Sequence, residues 1–305
     1  MKTNHVFMAL LFCIAISSYA QVTTSNMNGS VIDDQNQPLP GASVVAIHIP
    51  TGTKYGGTTN FEGRYNLLNM RVGGPYTLSI SYVGFKTQEF NDISLTLGKT
   101  FSLDIAMQSE SESLDEVVLQ ASGGNNIFGN DRTGAQTSVG RRELTNLPTI
   151  SRSQADFTRL EPSSSGGSFG GRNDQFNNFS LDGAIFNNPF GLDAATPGGQ
   201  TSAQPVSLDA IDQIQVSTAP YDVTQSGFTG ATVNAVTKSG TNDFHGTVYG
   251  FWRNEDFTGS KVKGDDIAVP KLSQTQVGFS VGGPIVENKL FFFVNFEQDD
   301  REDLG

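Results

Sequence analysis

The sequence predicts a mainly β protein in three consecutive units: a β-sandwich, an α+β unit, and a sheet of long alternating strands. Three observations predict it. Short alternating segments separated by turn residues fill the first hundred or so residues, a spacing that reads as an all-β sandwich. Two proline-stopped helical patterns then mix with strands. From Phe244 onward the alternating runs lengthen toward the roughly 9–11 residues that a tilted barrel strand needs.

The first residues stand apart. Lys2 gives a positive start, residues 6–16 are an apolar run, and Ser18 and Ala20 put small side chains at the −3 and −1 positions of a cleavage site. Residues 1–20 therefore read as a secretory signal peptide whose apolar run is too short to span a bilayer. Phe12, before Cys13, fits a lipoprotein site poorly. Cys13 is the one cysteine of the sequence, so the exported chain is expected to carry no disulfide, no thiolate and no Cys-ligated zinc. The formal net charge is −12, and nothing supplies a basic face for nucleic acid. No apolar run after Ala20 is long enough for a transmembrane helix, which leaves a β-barrel open.

The sandwich is placed at residues 21–108. Its strands are expected at 29–32, 42–47, 64–67, 76–82 and 101–106, with turns at 33–34, 38–41, 51–52, 60–63 and 73–75. Residues 108–116 (QSESESLDE) are acidic and lack aromatic side chains, the composition of a solvated linker. Val117, Val118 and Leu119 follow at once; three apolar residues make no core but do make a strand in want of a partner. The linker unit is set at residues 109–120.

The α+β unit is placed at residues 121–239. Helices are expected at 140–147 and 153–160, stopped by Pro148 and Pro162. Strands are expected at 177–183, 211–217 and 231–237. Long Gly- and Asn-rich loops at 163–174 and 185–205 lie between them, and such loops are usually functional or disordered. Residues 240–305 form the third unit. In its first strand Phe244, Gly246, Val248, Gly250 and Trp252 share one face, and His245, Thr247, Tyr249, Phe251 and Arg253 the other. A hairpin follows at 276–300. Phe291, Phe292 and Phe293 are consecutive there and put aromatic rings on both faces of its second strand.

Residues 211–217 (IDQIQVS) and 230–240 (GATVNAVTKSG) resemble the close of the plug domain in TonB-dependent outer-membrane receptors. Residues 178–183 (NFSLDG) resemble the plug's central strand. Residues 282–297 (GGPIVENKLFFFVNFE) look like the early barrel of the Oar-like branch, alongside the SusC-like receptors of Bacteroidetes type. The sandwich is similar to the carboxypeptidase regulatory-like domain ahead of the plug, through 29–34 (GSVIDD), 39–44 (LPGASV), 59–65 (TNFEGRY) and 82–85 (YVGF). The resemblance implies a β-sandwich, an α+β plug and the first strands of an incomplete transmembrane β-barrel. Such a barrel has about 22 strands, so the chain is expected to be the N-terminal part of a longer receptor.

Chemistry is sparse. His48 and His245 are far apart in sequence and have no Cys or spaced His beside them, so strand residues are the expectation. Residues 167–171 (GSFGG) lack the lysine of a P-loop and the context of a nucleophile elbow. Ser163, Ser164 and Ser165 have no base nearby. Asp33 and Asp34, like Asp265 and Asp266, either bind a cation weakly or are simply solvated. No catalytic site, metal site or cofactor is expected, and the chain is not read as an enzyme.

Asp115, Glu116, Val117, Val118 and Leu119 resemble the TonB-box region, an extended segment suited to adding as a strand to a partner's sheet edge. The alternative is a plain linker ending in a first strand. Arg141, Arg142, Glu143, Arg152, Arg159, Arg172 and Lys238 are the main charges of the plug-like unit; they either hold a barrel wall or are solvated. Phe169, Arg172, Asn173, Phe186, Asn187, Asn188 and Phe190 lie in loops that either face outward toward cargo or are packed. The implied partners are TonB with its inner-membrane energising complex, outer-membrane lipid, and a surface lipoprotein that captures substrate. The implied function is import of a large nutrient ligand, such as a glycan or peptide, across the cell outer membrane. The competing reading is a secreted or surface β-sandwich adhesion protein without transport.

Overall fold

The computed structural model of the protein describes residues 23–110, 118–120, 136–188, 204–218 and 228–303. The expected signal peptide lies outside the described residues. The first unit comprises β1 (Thr24–Ile32), β2 (Ser43–His48), β3 (Thr53–Thr58), β4 (Arg64–Arg71), β5 (Gly73–Ser81), β6 (Gln88–Leu95), β7 (Thr100–Ser102) and β8 (Ile105–Ala106). In one sheet β1 pairs antiparallel with β4 and parallel with both β7 and β8. The other sheet runs β3-β2-β5-β6 and ends on β9 (Val118–Gln120). The alternation decides what is buried. Val44 and Ala46 of β2 and Tyr76, Leu78 and Ile80 of β5 point inward with Met27, Val31 and Leu67 of the facing sheet.

Two strands here escape a reading by pattern, each for a physical reason. β3 (TKYGGT) is an edge strand with mostly exposed side chains, so no apolar face announces it. β6 carries a bulge: Tyr76 stands opposite Ile93 and Leu78 opposite Phe90, so β6 spends one extra residue, and Asp92 sits at φ 60°. The bulge breaks the period of two, while Phe90, Ile93 and Leu95 still reach the core.

The α+β unit contains β10 (Gln136–Val139), α1 (Arg141–Asn146), α2 (Ala155–Thr158), the small hairpin β11 (Ser164–Ser165) and β12 (Ser168–Phe169), β13 (Asn178–Leu181), β14 (Ala184–Ile185), β15 (Ile211–Ser217) and β16 (Thr232–Thr237). Its sheet is ordered β10-β15-β16-β13-β14, with β13 parallel to β16. Both helices are shorter than the sequence pattern. Ile214, Val216, Val233, Phe157, Phe169 and Phe179 form its core. The polar face of β15 meets the sandwich: Leu97 N donates to Gln213 Oε1 at 2.9 Å, and Gln213 Nε2 donates to Leu95 O at 3.2 Å.

The third unit is an antiparallel sheet of β17 (His245–Asn254), β20 (Leu272–Val286) and β21 (Leu290–Asp303), ordered β17-β20-β21. A small excursion, β18 (Lys261–Val262) and β19 (Asp265–Asp266), separates the first two. The turn after β20 holds Asn288 at φ 59°, a conformation asparagine tolerates. Asn242 Nδ2 donates to Asn288 Oδ1 at 2.9 Å and Asn242 N to Pro50 O at 2.8 Å, so this turn lies beside the β2–β3 turn of the sandwich. The pairing sorts the three phenylalanines. Phe292 shares a face with Phe244, ring centroids 6.2 Å apart, and Phe293 lies on the opposite face against Gly282.

His48 is 3% exposed, with Nδ1 2.7 Å from Thr51 Oγ1 and its ring 4.8 Å from that of Tyr76. Burial, then the Arg71 and Arg141 guanidinium groups, lower its pKa to about 4. The folded sandwich therefore holds His48 neutral. The unfolded chain binds a proton there first, so stability is lost as pH falls from about 6.5 to about 4, by up to about 3 kcal/mol. A sandwich fragment ending at Gln108 is expected to unfold cooperatively in urea. Between pH 7 and pH 4.5 it should lose more stability than its His48→Gln variant. A molten fragment, or equal losses in both proteins, would contradict this.

Candidate functional site

The sheet of long strands has two unlike faces. On one, Val248 (86% exposed), Trp252 (59%), Phe279, Val281, Val294 and Phe296 form a continuous exposed apolar surface. On the other, Tyr249, Gln274, Gln276, Ser280, Asn295, Glu297 and Asp299 are polar. An apolar outer face backed by a polar inner one is the pattern of a membrane barrel wall.

The α+β unit docks on the polar face through one cluster. Ser207 caps the short 3-10 turn at Leu208–Ala210, with Asp209 N donating to its Oγ at 3.2 Å, just before β15 begins. Ser207 Oγ also donates to Glu297 Oε2 of β21 at 3.0 Å. Tyr249 Oη of β17 donates to the same oxygen at 2.6 Å. The Tyr249 ring reaches it by lying across Gly278, where an added Cβ would come within 2.5 Å of Tyr249 Oη.

Arg152 completes the cluster. Its backbone is at φ 49° after α1, and this bend sends the guanidinium to 3.6 Å from the centroid of Phe251 and 4.8 Å from that of Tyr249. Its Nε is buried without a hydrogen-bond partner. Burial lowers the Arg152 pKa, while Glu297, Tyr249 and Asp209 pull it the other way. Arg253 NH1 donates back to Ile150 O at 2.9 Å, and Asn295 Nδ2 donates to Asp209 Oδ2 at 3.4 Å. Asp209 in turn is paired with Lys238 at 3.3 Å. A hydrogen bond to a charged group contributes about 1.5–3 kcal/mol, and a cation over an aromatic ring about 0.5–2 kcal/mol. Among the described residues these groups join the unit to the strands.

The other charges named from sequence go elsewhere. Arg141 pairs with Asp212 at 2.6 Å, inside the cleft of about 690 Å³ between sandwich and α+β unit. Glu143 accepts from Gly140 N at the start of α1, and Arg159 Nε donates to Asp156 O. Arg142 lines the same cleft. Among the loop residues, Phe169 is 3% exposed and belongs to the core, not to a surface. Arg172 and Asn173 are exposed, and Asn173 Oδ1 accepts from Gln175 N. Asn187 is structural: its Oδ1 accepts from Phe179 N at 2.6 Å and its Nδ2 donates to Asn178 Oδ1 at 2.8 Å. Phe186 is partly exposed against Phe179, and Asn188 is half-buried. Phe190 lies outside the described residues, as do Asp115, Glu116 and Val117. Val118 and Leu119 are in β9. Ser207, Tyr249 and Glu297 were not singled out by sequence; the signal available was Tyr249 on a polar strand face.

Among the described residues no helix is long and apolar enough to cross a membrane, and no group of three His, Cys, Asp or Glu side chains could hold a metal ion. His245 is exposed at the start of β17.

A family described as a carboxypeptidase regulatory-like domain matches residues 26–108, and one described as an outer membrane beta barrel domain matches residues 236–303. The TonB-dependent transporter Oar of Myxococcus xanthus is 26% identical over 299 residues, covering 92% of this chain and 27% of that protein. The TonB-dependent receptor P39 of Formosa agariphila is 27% identical over 220 residues, covering 69% and 20%. The TonB-dependent receptor SusC of Bacteroides thetaiotaomicron is 30% identical over 148 residues, covering 47% and 13%. The siderophore receptor PirA of Acinetobacter baumannii superposes with a TM-score of 0.40 at 20% identity, covering 54% of this chain and 24% of that one. The chain thus spans at most about a quarter of the curated relatives it matches. Those relatives are transporters and receptors, not enzymes. These matches identify the chain as a relative of the TonB-dependent outer-membrane receptors, with a carboxypeptidase regulatory-like domain, outer-membrane β-barrel strands and a place in the outer membrane.

Proposed function

We propose that the chain is the N-terminal part of a TonB-dependent outer-membrane transporter that imports a large nutrient ligand, a glycan, peptide or similar, with energy transmitted by TonB. The observation that carries this reading is the polar joint of Ser207, Tyr249, Glu297 and Arg152, which seats the α+β unit on the inward face of strands whose outward face is apolar. A unit seated on a barrel wall by polar contacts, with its apolar core kept to itself, suits a plug that pulling can release. The apolar outer face argues against a secreted adhesion protein, which has no lipid to cover it.

In this reading residues 1–20 are the signal peptide, 21–108 the sandwich, 109–120 the linker, 121–239 the plug and 240–305 the start of the barrel. Asp115 to Leu119 contact TonB by strand addition. Arg172, Asn173, Phe186 and Asn188 offer cargo a cation, amides and an aromatic edge. A surface lipoprotein captures substrate, and lipid covers the outer wall. No residue is assigned a catalytic step.

Val117→Pro removes a backbone donor from the TonB segment. It is expected to abolish TonB-dependent uptake in cells while leaving the receptor at the surface; normal uptake would sink the assignment. Arg152→Ala is expected to speed amide exchange across β15 and β16 in outer-membrane preparations by about 2–30-fold, the range of the lost cation–aromatic contact. Unchanged exchange there would mean the plug is held by other contacts.

A further inference from the structure

Residues 118–120 form β9, which lies parallel to β6 at the edge of the sandwich's larger sheet. Glu89 stands opposite Val118, Phe90 opposite Leu119 and Asn91 opposite Gln120. The TonB-contact segment therefore ends on the sandwich itself. The chain is also fixed on its way there. Lys86 N donates to Gln108 O at 3.0 Å, Phe85 bridges Ser109, and Glu110 N donates to Gly84 O at 3.0 Å. One anchor lies beside residues 84–86 and the next beside 89–91, with only residues 111–117 between them. So short a tether keeps the segment at an effective concentration in the range of millimolar at the β6 edge.

We propose that the outer edge of β6 is a second binding surface for the TonB-contact segment, so that sandwich and TonB compete for Val118 and Leu119. The proposal rests on the TonB reading of Asp115 to Leu119 and assigns the sandwich a role. Both partners recognise the segment by the same chemistry, main-chain hydrogen bonds to an extended strand. The β6 edge is built to hold it weakly. The bulge at Asp92, with φ 60°, breaks the regular edge just after Asn91, the last β6 residue paired among the described residues. Parallel pairing is also slightly less stable per residue than antiparallel. The sandwich thus covers an otherwise open sheet edge with a strand it can give up.

The test is a cysteine pair, Asn91→Cys with Gln120→Cys, directly opposed in the ladder, in the receptor in outer-membrane preparations. Gln120 lies just outside the TonB-contact residues, and Asn91 is half-buried outside the apolar core, so the changes leave both partners' recognition elements in place. Oxidation is expected to form a disulfide in the double variant and not in either single variant. It should lower capture of the purified TonB periplasmic domain at least tenfold, and reduction should restore it. Failure to form the disulfide overturns the proposal, and so does a disulfide that leaves TonB capture unchanged. Val117→Pro, run alongside, separates the two ideas. If it abolishes capture while the disulfide does not, TonB contact stands and competition falls. If neither affects capture, the TonB reading itself falls.

Discussion

The Glu297 carboxylate is the constraint around which the α+β unit and the long strands are arranged. One of its oxygens accepts hydrogen bonds from the hydroxyls of both Ser207 and Tyr249, from two different units of the chain. A carboxylate held among protein groups needs such donors, because an unpaired one is costly. The need dictates its surroundings. Tyr249 must lie low on the sheet, so the residue opposite it is glycine. Ser207 must sit at a fixed point, and it does so as the cap of the turn that launches β15. Arg152 brings its charge to the same face and rests on the rings of Phe251 and Tyr249. The joint is polar and specific in geometry, unlike the apolar core behind it.

The sandwich is attached differently. Gln213 bonds backbone atoms of Leu95 and Leu97, and Asn242 bonds the backbone of Pro50. Main-chain recognition of this sort is indifferent to the side chains at 50, 95 and 97. It fixes position with little demand on sequence. The sandwich and the long-stranded sheet so meet at one turn, at Asn288, which packs against Gly52.

Much of this was legible in the residues. The long hairpin and the strand at residues 245–254 follow from alternation alone, and the face carrying Tyr249, Phe251 and Arg253 was assigned as a face. What pattern could not give was anything that depended on a partner. β3 has no apolar stripe because it is an edge, and β6 hides its stripe behind the bulge at Asp92. Arg152 looked like Arg141, Arg142 and Arg159 in sequence. Only a left-handed backbone turn singles it out for the barrel face, and that turn has no glycine to announce it. Phe169 sat in a Gly-rich run that read as either an outward loop or a packed one; a short hairpin folds it into the core.

Gly278 has a consequence for how such a chain can change over generations. An alanine there would bring its methyl group to 2.5 Å from Tyr249 Oη and to 2.8 Å from the backbone oxygen of Phe296 in the neighbouring strand. The first contact would lift the phenol from Glu297, and the second would strain the ladder that joins the last two long strands. Assembly of the wall and seating of the α+β unit therefore answer to the same position. A lineage cannot give up one there and keep the other untouched, and a screen for membrane insertion would register the loss of both.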